Sequence, residues 1–201
     1  MKLYYAPGAC SLSPHIALCE AGLPFTAVPI STKTHQLADG TDFCSINPLG
    51  YVPVLELDNG ERLREGPAIV QYIADQVPDK KLAPANGTLA RYRLQEWLSF
   101  IGTELHKSHG PLFTPGTPED YKVQVRERLL SRYQWLNEQL AGKDYLLGSF
   151  SVADAYLYTV TRWALHVGVD LTGLANIVAL QRRMEQRPGV QAALKAEGLL
   201  K

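Results

Sequence analysis

Over the first eighty residues apolar positions come in short runs that switch between strand spacing and helix spacing. Lys2 to Tyr5 reads as a short apolar strand, followed by a turn at Ala6-Pro7-Gly8-Ala9. Leu12, Ile16 and Cys19 then recur at helical spacing, with Pro14 suited to a first turn and Gly22 to a C-terminal stop. Thr26 to Ile30 reads as a second strand, and a polar segment, Ser31 to Thr41, leads to a brief helix around Asp42 to Ile46. Strand, helix and strand in close succession predict a parallel pair with a right-handed crossover.

The stretch from Asn47 to Ile69 is denser. Val54, Leu55 and Leu57 begin a strand, so Val52 and Pro53 stand where loop becomes sheet. An X-Pro bond reaches the cis form at a cost of about 0.5–1 kcal/mol. A cis Val52-Pro53 peptide would turn the Val52 amide and carbonyl outward, where an extended peptide can pair with them. Asp58-Asn59-Gly60 supplies a hairpin turn, Leu63 marks the return strand, and Gly66-Pro67 opens a helix that runs to Gln76. Free amides at that helix start attract a carboxylate, and the Glu65 side chain suits an ammonium. The order over the first eighty residues is therefore βαβαββα.

Asp79 to Gly87 is polar and carries Pro and Gly, which predicts a first domain over 1–80, a linker over 81–87 and a second domain over 88–201. The second domain reads as all helical. Leu89, Tyr92, Trp97, Phe100, Ile101 and Leu105 form the expected apolar face of its first helix. Thr117-Pro118-Glu119-Asp120 caps the next, with a stripe of Tyr121, Val125, Leu129, Tyr133, Leu136 and Leu140. Ser151-Val152-Ala153-Asp154 is a capping-box variant before an unusually apolar helix, Ala155 to Val167, expected at the centre of the domain. Leu180 and Met184 mark a further helix, and Pro188 to Leu194 a short last one.

Composition narrows the function classes. Lys plus Arg and Asp plus Glu are 20 each, so no global field favours nucleic acid or an anionic membrane, and neither is expected as a partner. There is no long apolar run of the kind that spans a bilayer, and the N-terminus lacks the apolar core of a signal peptide, so a cytoplasmic location is expected. Three cysteines, Cys10, Cys19 and Cys44, form no C-x-x-C pair, which points to neither a disulfide framework nor a metal site.

Cys10 stands at a helix start, where the dipole and nearby amides stabilise a thiolate and lower its pKa from about 8.5. Ser13 occupies the place of a second cysteine, so redox chemistry there needs an external thiol. The alternative is a small cysteine that only packs. Ser99, Thr103 and His106 recur at i, i+4 and i+7 and share one helix face, read either as a solvated stripe or as a polar wall in which His106 donates to a bound sulfur.

These stretches carry a resemblance. K-L-Y-Y-A-P-G-A-C-S-L-S-P-H-I-A-L, N-P-L-G-Y-V-P-V-L, L-R-E-G-P-A-I-V-Q-Y-I-A-D, W-L-S-F-I-G-T-E-L-H-K and S-V-A-D-A-Y-L-Y resemble the cytosolic glutathione transferases, and within them the bacterial Beta class, along the whole chain. The resemblance implies an α/β thioredoxin-like N-terminal domain followed by an all-α helical-bundle domain, assembled as a homodimer. It implies glutathione as co-substrate, no metal, and conjugation of its thiolate to small apolar electrophiles in an interdomain cleft. It places Cys10 and His106 in catalysis. Glutathione would be held by Cys10, His35, Val52, Pro53, Glu65, Gly66, Ser99, Thr103, Glu104, Leu105, His106 and Lys107. Pro7, His109, Leu112, Phe113 and Trp163 would face the electrophile. The chain departs from the family pattern at His35, often Lys, at Ser99, often Asn, and at Gly66, which lacks a hydroxyl. Two other readings stand beside this one: a glutathione-dependent thiol-disulfide oxidoreductase or peroxidase acting through Cys10, and a non-catalytic adaptor of the same fold.

Overall fold

Strand β1 (Lys2–Tyr5) lies at the middle of a five-stranded sheet of order β3-β2-β1-β4-β5. It pairs in parallel with β2 (Thr26–Ser31) across helix α1 (Leu12–Ala21) and antiparallel with β4 (Val54–Glu56). β5 (Arg62–Arg64) closes a hairpin on β4, and a two-residue β3 (Gln36–Leu37) pairs with β2 at the other edge. Alternation along β1 and β4 feeds two layers. Tyr4 and Val54 join Ile30, Phe43, Ile46 and Val52 in one buried cluster, while Leu3 and Leu55, also fully buried, point the other way. This is the expected thioredoxin-like arrangement with two changes. β3 lies inside the segment read as polar loop, and the brief second helix is a single 3-10 turn, Phe43–Ser45, begun by the Asp42 carboxylate accepting from the Cys44 amide. Helix α2 (Gly66–Asp75) completes the run.

The computed structural model describes residues 1–200, which divide into two units: 1–83 with 186–200, and 84–185. The last residues therefore group with the first unit, whereas the sequence places everything after 87 in the helical domain. The reason is helix α8 (Pro188–Ala196), which packs on α1. Arg187 grips Glu20 through two hydrogen bonds of 2.6 and 3.0 Å, and Gly189 leaves room for that carboxylate, since a Cβ at 189 would lie 2.7 Å from Glu20 side-chain atoms. Such contacts join residues too far apart in sequence for periodicity to pair them.

The second unit contains α3 (Leu89–Phe100), a π-helical turn (Ile101–His106), α4 (Lys107–Phe113), α5 (Glu119–Gln139), α6 (Val152–Thr161) and α7 (Ala175–Glu185). Every residue of α6 is buried, in agreement with its apolar sequence. The helix ends at Thr161 and gives way to a 3-10 turn at Ala164–Val167, shorter than the sequence implies. On α3 the expected face is corrected. Leu89 and Tyr92 are 73% and 60% exposed, and the buried stripe is Arg91, Leu94, Leu98, Ile101 and Leu105. Leu94, Leu98, Ile101 and Leu105 follow one i, i+4, i+7, i+11 line, and the sequence reading mixed that line with its neighbour. Among the described residues no helix is long and apolar enough to cross a membrane.

The start of α6 is held by Asp154, a fully buried carboxylate that accepts from the Ser151 amide (2.9 Å), the Ser151 hydroxyl (2.9 Å) and the Leu146 amide (2.8 Å). Replacing it strands three buried donors at once. Asp154→Ala is expected to lower unfolding free energy by about 3 kcal/mol, read from the midpoint and slope of urea denaturation. A midpoint equal to the wild type's would mean those donors find other partners.

Candidate active site

The loop before α1 is shaped by Ser11. Its hydroxyl donates to the Ala6 carbonyl (3.2 Å) and accepts from the Ala6 amide (3.1 Å), closing the turn that carries Pro7 to Cys10. The Gly8 amide of the same turn donates to Glu197 Oε2 at 2.8 Å, and Glu197 Oε1 lies 2.8 Å from His15 Nδ1, with both side chains buried. His15 itself sits between the rings of Tyr5 and Phe25. Ser11, His15 and Glu197 were not singled out from the sequence. A serine after Cys10 was a readable signal, but nothing local pairs residue 15 with residue 197.

Cys10 is half-buried just ahead of α1, and its thiol donates to the Val52 carbonyl at 3.3 Å. Residues 42 positions apart are thereby joined, and the Val52-Pro53 peptide that follows is cis, as the sequence reading anticipated. Val52 and Pro53 are both buried. Next to them Gly50 adopts φ +69°, and a Cβ there would lie 3.0 Å from His35 Nδ1. That glycine lets the His35 imidazole reach in and donate to the Gly50 carbonyl at 2.8 Å, turning its other nitrogen away from the loop. His35 is exposed and also has positive φ, 52°.

Glu65 stands at the N-cap of α2 with φ 65° and ψ 114°, a conformation that costs a non-glycine residue about 1–3 kcal/mol. Its carbonyl accepts from the Ala68 and Ile69 amides, and its exposed carboxylate takes a 3.4 Å contact from the Tyr51 hydroxyl. The Gly66 amide opens the helix beside it. The sequence marks Glu65 as a residue before a helix. It does not show that the carboxylate is carried on a strained cap, the kind of backbone outlier that clusters at ligand sites.

In the second unit Ser99, Thr103 and Lys107 are exposed along the continuous α3, π turn and α4. The Thr103 hydroxyl donates back to the Ser99 carbonyl at 3.0 Å, and the Glu104 carboxylate is paired with Arg132 of α5 at 2.9 Å. His106 is half-buried, its Nδ1 2.6 Å from the Tyr156 hydroxyl. Burial, together with the charges of Lys107 and His109, pushes its pKa down to about 4, so the imidazole is neutral near pH 7. Leu105 is corrected: with 0% exposure it is a core residue, and its carbonyl accepts from His109 Nδ1 at 2.8 Å.

His109 is corrected in the same way. It too is 0% exposed and lies in an aromatic cluster with Phe113, Tyr133 and Trp163. From its spacing it read as a histidine without a partner, because Tyr133 and Trp163 reach the ring from two other segments. Leu112 and Trp163 are partly buried, while Phe113 is 53% exposed and Pro7, in the first unit, is exposed. Among the described residues no group of His, Cys, Asp and Glu side chains is arranged to hold a metal ion.

Comparison with known proteins places this arrangement. Residues 1–75 match the glutathione S-transferase N-terminal domain and residues 94–188 the glutathione S-transferase C-terminal domain. The chain is 50% identical to the glutathione S-transferase GstA of Escherichia coli O157:H7, over 99% of this chain and 100% of that one. A sphingomonad glutathione S-transferase complexed with glutathione superposes with TM-score 0.96 at 49% identity, each chain covered in full. The bacterial beta class glutathione S-transferase of Sphingomonas chungbukensis does so with the same TM-score, identity and coverage. With the N- and C-terminal domains matched in order and the relatives covered end to end, the chain belongs to the glutathione S-transferase family.

Proposed function

We propose that the protein is a glutathione transferase that ionises the glutathione thiol and directs it at an electrophilic carbon of a small apolar substrate. In the reaction the thiol proton passes to water, the sulfur forms a bond to carbon, and the leaving group departs with the electron pair of the bond that breaks. The observation that carries the reading is the meeting of Cys10 with the Val52 carbonyl at 3.3 Å, beside a strained Glu65 at the start of α2. A tripeptide with one ammonium and two carboxylates fits these groups. The Val52 backbone pairs with the cysteinyl unit, Glu65 takes the ammonium, the Gly66 amide takes the neighbouring carboxylate, and His35 serves the glycyl carboxylate.

Cys10 and His106 are assigned to the sulfur, and Ser99, Thr103, Glu104 and Lys107 to the polar remainder of the peptide. Lowering a thiol pKa by about two units needs about 2.7 kcal/mol. One or two hydrogen bonds to a charged acceptor, at about 1.5–3 kcal/mol each, supply that. The aromatic cluster around Phe113 and Trp163, with Leu112, is assigned to the electrophile, together with Pro7. A homodimer is part of the proposal, supported by the exposed Leu89 and Tyr92 on one turn of α3.

The second reading, a thiol-disulfide oxidoreductase, is favoured by the partly exposed Cys10 thiol at a helix start with no second cysteine beside it. There Cys10 would attack a mixed disulfide of glutathione, and a second glutathione would release it.

Four outcomes are expected. The protein is retained on immobilised glutathione and eluted by free glutathione, and Cys10→Ser lowers conjugation of an aromatic halide about tenfold. A variant that keeps conjugation but loses mixed-disulfide reduction would instead establish the redox reading, and failure to bind glutathione would favour an adaptor. Because His106 is already neutral, its ionisation adds no inflection to the pH profile of kcat/KM between about pH 5 and 8. An inflection that His106→Ala abolishes would contradict this. Sedimentation equilibrium is expected to give twice the mass of the 22.2 kDa chain, and a monomer would remove the dimer from the proposal.

A further inference from the structure

His106 does not hold its own orientation. Its Nδ1 lies 2.6 Å from the hydroxyl of Tyr156, a residue 3% exposed on α6, and the two rings meet edge-on at 5.8 Å and 86°. Trp163 packs against the same imidazole at 5.0 Å and 68°. The π turn brings His106 to this position, and Gly102 within it faces the Tyr156 hydroxyl, which a Cβ there would meet at 3.7 Å. Tyr156 is in turn fixed two residues after Asp154, whose carboxylate ties down the start of α6.

A neutral imidazole has one N–H, and which nitrogen carries it decides what the ring offers a sulfur anion. With hydrogen on Nε2 the ring donates there. With hydrogen on Nδ1 it turns a lone pair toward negative charge. A phenol is a hydrogen-bond donor toward the more basic imidazole nitrogen, so the short contact has the Tyr156 O–H donating to Nδ1.

We propose that Tyr156 is a positioning residue for His106: its hydroxyl occupies Nδ1, holds the ring hydrogen on Nε2, and so presents Nε2–H as the donor to the glutathione sulfur. This rests on the reading of His106 as a sulfur donor given above. In this proposal Tyr156 acts through the tautomer and ring angle of its neighbour.

The test has two arms. Long-range nitrogen-15 NMR on the labelled full-length protein reads the tautomer without any substrate. His106 is expected to carry hydrogen on Nε2, and hydrogen on Nδ1 overturns the proposal whatever the kinetics. In the second arm the ionisation of bound glutathione is titrated by thiolate absorbance in the wild type, Tyr156→Phe, His106→Ala and the double variant. Tyr158→Phe serves as a control that removes a hydroxyl from the same buried helix. Tyr156→Phe is expected to raise the bound thiol's pKa and to lower kcat/KM about tenfold below that pKa, with the KM for glutathione little changed. The double variant is expected to lose no more than His106→Ala alone.

A bound-thiol pKa in Tyr156→Phe equal to that of Tyr158→Phe reduces Tyr156 to packing and overturns the proposal. If His106→Ala shifts the titration and Tyr156→Phe does not, the positioning role of Tyr156 falls while the reading of His106 at the sulfur stands. If His106→Ala shifts nothing, the reading of His106 at the sulfur falls and takes this proposal with it.

Discussion

The carboxylate of Glu197 is the contact on which the first unit most depends. It comes from the far end of the chain, enters a site without solvent exposure, and there accepts from the Gly8 amide while its other oxygen meets His15. A buried carboxylate persists only where donors satisfy it, so the loop from Ala6 to Ser11 and the side of α1 are held in one geometry by the requirement to do so. Removing either partner would leave an uncompensated polar group in the core. The loop carrying Cys10 is thus set by packing with α8 as much as by its own turn residues.

Two exceptions to local backbone preference sit where the ligand groups are expected. Glu65 caps α2 at positive φ, and His35 reaches the Gly50 carbonyl from another positive-φ position. Conformations of this kind survive when surrounding contacts over-determine them. Here the hairpin of β4 and β5 and the core contacts of Val52 and Val54 supply that determination. The polar groups on the outer side of the sheet owe their positions to apolar residues on the inner side.

In the second unit the equivalent constraint is the burial of α6. A helix with every residue buried cannot shift by a fraction of a turn without opening voids, so Tyr156 offers its hydroxyl at one place. The π turn at Ile101–His106 shifts the helix register so that Leu105 points into the core and His106 meets Tyr156. The same burial that fixes the imidazole keeps it uncharged.

Much was legible in the residues alone. The opening strand–helix–strand unit, the cis-capable Val52-Pro53, the hairpin at Asp58-Asn59-Gly60 and the capping of α6 all follow from local chemistry, because turn residues, caps and periodicity act within one or two turns of chain. The exposed side of α3 was misread, since two adjacent stripes of apolar residues look alike until a neighbour covers one of them. Leu105, on the expected apolar face, is buried, whereas the burial of His109 depends on aromatic rings from other segments. The pairing of Glu197 with Gly8 and His15, the strained cap at Glu65 and the bond between Tyr156 and His106 were decided only by tertiary structure. Each joins segments whose separation in sequence carries no periodic signal, or sets a backbone angle against local preference, and only the packed core supplies the energy that holds them there.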